Sequence, residues 1–137
     1  MAGYIVDNSV WGRIKVPEVR HAVDGLTDVI YTVTPQRLEF LYSATSQEDF
    51  DKQQRFLDAV GVYLEPADDL NDTCEDIQRA LATHGKLRSV GPVDVMIAAY
   101  AYRHRLTVLH YDSDFSDHIA ASVQGFQQEW VVPRGSL

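Results

Sequence analysis

"PVDVMIAAYAYRHRLTVLHYDSDF", residues 92 to 115, is the stretch whose reading decides the fold. Pro92 opens a helix at the one position where a missing N–H costs nothing. From there to Ala101 the segment is apolar nearly all round, which marks a helix buried on most sides. "LTVLHY", 106 to 111, follows at once and reads as a strand. A buried helix running into a buried strand is the return half of a strand–helix–strand crossover. Such crossovers are right-handed and build parallel sheets.

Working outward, the same alternation fills the chain. "GYIV" (3–6), "DVIYTV" (28–33) and "GVYLEP" (61–66) are short apolar strands, and "SVQGFQQEWVV" (122–132) contributes a fifth. Between them "VRHAVDGL" (19–26) carries Val19, Val23 and Leu26 at helical spacing. "TPQRLEFLYSA" (34–44) opens with Thr34 as N-cap and Pro35 behind it, with Leu38, Leu41, Tyr42 and Thr45 as its expected inward face. "SQEDFDKQQRFLDAV" (46–60) has a capping pattern in Ser46 and Asp49, and Phe50, Gln54, Leu57 and Val60 share a face. "DDLNDTCEDIQRALATHG" (68–85) places Leu70, Cys74, Ile77 and Leu81 on one stripe and closes at Gly85. "KLRSVG" (86–91) is a basic loop. The expected fold is a single α/β domain over 1–137, a central, mainly parallel sheet of about five strands covered by helices on both faces.

Composition bounds the function. At 137 residues with 45% hydrophobic and 23% charged residues, the chain has the make-up of one globular domain with a real core. No run approaches the roughly 20 apolar residues of a membrane span, and "MAGYIVDNSVW" lacks the basic and long apolar regions of a signal peptide. One cysteine, Cys74, permits no internal disulfide. These features point to a soluble, cytoplasmic protein. The tail "WVVPRGSL" is similar to a protease-linker scar, but lacks the leucine usual before Val-Pro-Arg and reads as native sequence. A net charge of −8 excludes a passive nucleic-acid binder with a basic surface, though not an enzyme whose acids are gathered at cations.

Sites in open parallel sheets form beyond the carboxyl ends of the strands. Asp7 directly follows the first strand and Asp112 the fourth. Asp94 lies in the first turn of the buried helix, which the crossover rule puts at the same edge. Glu39 is one turn into the helix after the second strand. Each acid alone has a plainer reading, as turn residue, helix-dipole partner or solvated side chain. Convergence is what those readings leave unexplained. Two carboxylates ~4 Å apart at an effective dielectric of ~20 repel by about 4 kcal/mol. Such a cluster must take up protons, pair with basic groups or bind cations. Oxygen-only ligands suit Mg²⁺ or Mn²⁺, and such ions on an acidic edge serve phosphodiester hydrolysis.

"YIVDNSVW" (4–11), "TPQRLEFLYSA" (34–44), "GPVDVMIAAYAYRH" (91–104) and "VLHYDSDF" (108–115), in this order and spacing, resemble the PIN-domain ribonucleases, specifically VapC toxins of bacterial VapBC toxin–antitoxin pairs. The resemblance covers nearly the whole chain. It implies the PIN fold and an endoribonuclease that cleaves RNA with metal-activated water and no side-chain nucleophile. It puts the acidic metal-site positions on Asp7, Glu39, Asp94 and Asp112, with a supporting or second-metal role for Asp114 and a supporting hydroxyl on Ser9. It also implies a homodimer and inhibition by a VapB-type antitoxin. His110 stands where the family often has Thr. Lys86, Arg88, Arg13 and Lys15 are candidate phosphate contacts, with solvated surface charge as the plain alternative for each.

The remaining candidates are weaker. His21, His84, His104, His110 and His118 show no zinc spacing, and there is no phosphate-binding glycine loop. Trp11, Tyr100, Tyr102 and Trp130 are expected in packing or dimer contacts and not as base-stacking platforms. Two other classes compete with the nuclease. A receiver-like signalling module would need a lysine after the last strand, which "WVVPRGSL" does not offer. A catalytically inactive PIN-like binding module would have lost an acid, and none is lost.

Overall fold

The computed structural model describes residues 2–137. Tyr4–Val6 (β1), Ile30–Thr32 (β2), Val62–Tyr63 (β3), Thr107–His110 (β4) and Gln127–Trp130 (β5) form one sheet in the order β3-β2-β1-β4-β5. All four neighbouring pairs are parallel, so the mainly parallel expectation sharpens to a wholly parallel sheet. The register sets Val6 beside Leu109 and Leu109 beside Glu129. The strand order reverses between β1 and β4. In an open α/β sheet that reversal leaves a crevice at the carboxyl ends of those two strands.

The helices are Asn8–Trp11 (α1), Pro17–Asp24 (α2), Thr34–Tyr42 (α3), Gln47–Val60 (α4), Leu70–Thr83 (α5), Pro92–His104 (α6) and Ala120–Ser122 (α7). A 3₁₀ turn spans Leu87–Ser89 and a π-helical segment spans Asp114–Ile119. Side chains alternate across the sheet, so each central strand feeds two cores. Ile5 and Val108 join Ile77, Leu81, Ile97, Tyr100 and Phe115 on one face. Val6 and Leu109 join Val10, Trp11, Val19 and Val23 on the other. Helix α6 is buried at Val95 and from Ile97 through Ala101, as its all-round apolar sequence requires. No helix among the described residues is long and apolar enough to cross a membrane.

Two expected helix faces are rotated. On α3 only Leu41 of the expected inward set is buried; Leu38 is 62% and Tyr42 91% exposed, and Thr45 is exposed. Pro35 and Gln36 turn inward instead. The cause is an amide pair: Gln36 Nε2 donates to Asn8 Oδ1 (3.0 Å) and Asn8 Nδ2 donates to the Gln36 carbonyl (2.9 Å). These bonds offset the cost of burying the Gln36 amide nitrogen and the Asn8 side chain, while Gln36 Oε1 stays buried without a partner among the described residues. Thr34 makes no cap, being the first helical residue; its hydroxyl meets Tyr63 Oη at 2.9 Å. On α4, Phe50 and Gln54 face outward while Phe56 turns in with Leu57. Phe56 there meets Trp11 edge-on at 5.5 Å and stacks on Phe40 at 5.9 Å, contacts aromatic rings favour. The caps of α4 and α5 follow expectation: Asp49 N–H donates to Ser46 Oγ at 3.1 Å, and Gly85 follows α5 at φ +71°, a left-handed value suited to glycine.

Candidate metal centre

Asp7, Asp94, Asp112 and Asp114 all come to the β1–β4 edge, each by a different local device. Asp7 leaves β1 in extended conformation and caps α1, its Oδ2 accepting the Ser9 N–H at 3.0 Å. Ser9 Oγ accepts the Tyr111 N–H at 2.9 Å, which ties the end of β1 to the end of β4. Asp112 Oδ1 accepts the Asp114 N–H at 2.9 Å, a tight turn that aims both carboxylates back at the sheet edge. Asp94 is the third residue of α6, where the helix dipole favours a negative charge. One oxygen each from Asp94, Asp112 and Asp114 lies within 4.8 Å of the others.

Asp114 therefore belongs to the tightest group, whereas the sequence reading set it behind Asp7 and Glu39. Asp7 lies beside the group: 4% exposed, with Oδ1 buried and without a hydrogen-bond partner among the described residues. Glu39 is exposed, and Asn8 Nδ2 holds its Oε1 at 3.2 Å. Its charge still reaches Asp7 and Asp94.

Electrostatics set this edge apart. Burial, then the charges of Asp7, Asp112, Glu39 and Asp114, push the Asp94 carboxyl up to about 7. Burial also raises Asp7, with Ser9 holding it down in part and Asp112 and Glu39 adding to the rise. Asp114 is raised by burial and by Asp112, against the opposing pull of His118. Carboxyls that resist ionisation because they are buried and because their neighbours are carboxyls are poised to exchange protons for a cation. The donors fit one. They are all oxygen, three converge, and a buried acceptor beside them lacks a partner, which suits a hard divalent ion.

Sequence reasoning missed three supporting residues. His110 is wholly buried, between Phe115 and Trp130. The Asp112 N–H donates to its Nδ1 (3.1 Å), so the ring proton sits on Nε2 and donates to Gln128 Oε1 (2.7 Å). Burial lowers its pKa and keeps it neutral, the form this bonding needs. The histidine in place of the family's frequent threonine gave no hint of this, because Gln128 meets His110 only through the β4–β5 pairing. Asn8 and Gln36, which bridge α1 to α3, and of which Asn8 holds Glu39, carry no pattern at all in sequence.

The candidate phosphate contacts diverge. Lys86 Nζ is held by the Asp117 carbonyl at 2.7 Å. Arg88 and Lys15 are exposed. Arg13 lies beside the centre, donating to the Ser9 carbonyl at 2.7 Å.

The family model of the PIN domain matches residues 4–119. The chain belongs to the PIN-domain family. Within it, the chain is similar to two Mycobacterium tuberculosis proteins, ribonuclease VapC18 (38% identical, covering 98% of each chain) and ribonuclease VapC51 (34% identical, covering 98% of this chain and 96% of the relative). The PIN fold itself superposes on VapBC2 from Rickettsia felis bound to a promoter DNA fragment, with a TM-score of 0.77 and 12% identity over 94% of this chain and 98% of that one. The five-stranded parallel sheet and the helices on its two faces are this PIN architecture.

Proposed function

We propose that the chain is the toxin of a VapBC-type pair, an endoribonuclease that hydrolyses RNA phosphodiester bonds with Mg²⁺ or Mn²⁺ held by Asp94, Asp112 and Asp114. The observation that carries this reading is the convergence of those three carboxylates beside the buried Oδ1 of Asp7, which has no hydrogen-bond partner among the described residues. The relatives' names as VapC ribonucleases support it. Held by these three carboxylates, such a cation would supply positive charge at the phosphoryl oxygens and lower the pKa of a bound water.

The chain's own groups do the rest. Asp7 and Glu39 add negative charge beside the three carboxylates, which strengthens the site's hold on a divalent cation and also makes that binding compete with protons. Ser9 and His110 fix the ends of β1 and β4, and with them the backbone of Asp7 and Asp112. No serine, cysteine or histidine nucleophile is required. An inactive binding module fits less well, since it has no need of so costly an acidic cluster.

A VapB-type antitoxin and a second copy of the chain are the proposed protein partners. The exposed Leu38 and Tyr42 of α3 and Val62 and Tyr63 of β3 support an apolar contact surface. The experiment that tests the activity is cleavage of total RNA by purified protein. Mg²⁺ or Mn²⁺ should sustain it, EDTA should stop it, and Asp7→Asn or Asp94→Asn should abolish it with the fold intact. Full cleavage by both variants would sink the reading.

A further inference from the structure

The segment after β5 turns back over the crevice and walls a cleft of about 580 Å³ next to Asp112. Ser9, Arg13, Tyr111, Ser113, Trp130 and Arg134 line it. That volume lies within the roughly 300–1,000 Å³ of small-ligand sites. Its chemistry differs from that of the acidic centre. The Arg13 guanidinium carbon lies 5.0 Å from the Tyr111 ring centroid, and that of Arg134 lies 5.3 Å from Trp130. The two rings meet edge to face at 5.3 Å. The returning chain is pinned there: Gly135 and Leu137 N–H groups both donate to Tyr111 Oη, at 3.0 and 3.1 Å.

We propose that this cleft is a nucleotide subsite. It would seat one residue of single-stranded RNA beside the phosphodiester at the acidic centre, with phosphate on Arg13 and Arg134 and the base stacked at the Tyr111–Trp130 pair. That gives Trp130 a role beyond the packing expected of it from sequence, because it lines the cleft. The proposal rests on the nuclease reading and names where the substrate strand lies. A chain of net charge −8 repels a polyanion unless local cations meet it, and two guanidiniums stand at the rim of the carboxylates. A guanidinium laid over a ring can still turn N–H groups to a phosphate, and Arg13 commits only one nitrogen, to the Ser9 carbonyl at 2.7 Å. Arg134 is held by Asp117 through two bonds of 2.8 Å, but both side chains are about half exposed, so exchanging that partner for a phosphate costs little. Stacking on aromatic faces accepts any base, as a strand-guiding site requires. An acidic peptide would use the arginines yet leave both rings without a role.

The test is binding of a short fluorescein-labelled single-stranded RNA to an Asp7→Asn background in Mg²⁺, read by anisotropy across salt concentrations. Arg13→Gln and Arg134→Gln should each weaken binding, and each should lower the slope of log affinity against log salt by about 0.7, as loss of one phosphate contact to a single strand does. Trp130→Leu should weaken binding on the order of tenfold with the salt slope unchanged. Wild-type affinity in both arginine variants would overturn the subsite. So would weaker binding at an unchanged slope, which would mark a loosened tail and not a lost phosphate contact. Because binding is read without cleavage, a protein that binds through this cleft yet cuts no RNA would refute the nuclease reading alone.

Discussion

Asp94 and His110 show how single residues at the centre trade stability for function. An unfolded Asp94 ionises at the ordinary carboxyl value, whereas in the folded chain burial and four neighbouring acids hold its proton to about 7. Below both values the two states are equally protonated and Asp94 contributes nothing to the pH dependence. Between them the folded state binds the extra proton, so stability falls as pH rises, and the loss is complete above about 7. Metal-free protein is therefore expected to melt at a higher temperature at pH 5.5 than at pH 8. Asp94→Asn should flatten that difference and raise the melting temperature at pH 8. Equal pH profiles for the two proteins in EDTA would refute the assignment. His110 acts in the opposite sense, as a supporting group. His110→Phe keeps a ring between Phe115 and Trp130 but leaves the Asp112 N–H and Gln128 Oε1 without partners. The expected result is roughly 2 kcal/mol less stability by urea unfolding, together with a loss of cleavage greater than the unfolded fraction explains. The positions of Asp7, Asp94 and Asp112 were legible in sequence because strand ends and first helical turns are one-dimensional signals. His110, Asn8 and Gln36 were not, because a hydrogen-bond partner 18 or 28 residues away depends on strand register and helix rotation.

Elements were legible where one apolar pattern decided them and misread where two competed. Helix α5 buries Ile77 and Leu81 along the stripe its spacing announces, and α6 is buried as its sequence requires. Helix α3 has apolar residues on two sides, and the Asn8–Gln36 amide pair, invisible to periodicity, chose between them. The side that lost now faces solvent through Leu38 and Tyr42. Replacing both with serine is expected to leave monomer stability within about 0.5 kcal/mol and to lower any self-association seen by sedimentation. A large drop in melting temperature would mean that these side chains pack within the monomer. The end of α6 offers a second check. Arg105 sits at φ +55°, the left-handed region that a side chain disfavours by roughly 1 kcal/mol and glycine does not. Arg105→Gly should stabilise the chain by up to that amount in denaturant titrations, with the α6–β4 connection unchanged.

At the scale of the whole molecule, the reversal of strand order between β1 and β4 explains why acids distant in sequence share one crevice, and the same convergence burdens the fold. Carboxylates crowded at one buried edge oppose folding wherever they ionise, and the net charge of −8 adds a diffuse repulsion. A ligand that binds the folded chain alone adds stability by mass action, about 2.7 kcal/mol at a hundredfold excess over its dissociation constant. For a domain of this size that corresponds to a rise in melting temperature of roughly 10 °C. Saturating Mn²⁺ or Mg²⁺ is expected to produce such a rise at pH 8, and a smaller one at pH 6, where the proton on Asp94 competes with the cation. The Asp94→Asn, Asp112→Asn double variant should lose the rise at both pH values. Generic screening makes a different prediction: NaCl of matched ionic strength would raise wild type and double variant alike. If NaCl reproduces the full effect of the divalent ion, the carboxylates of Asp94, Asp112 and Asp114 do not form a metal site, and the hydrolytic chemistry proposed for them falls with it.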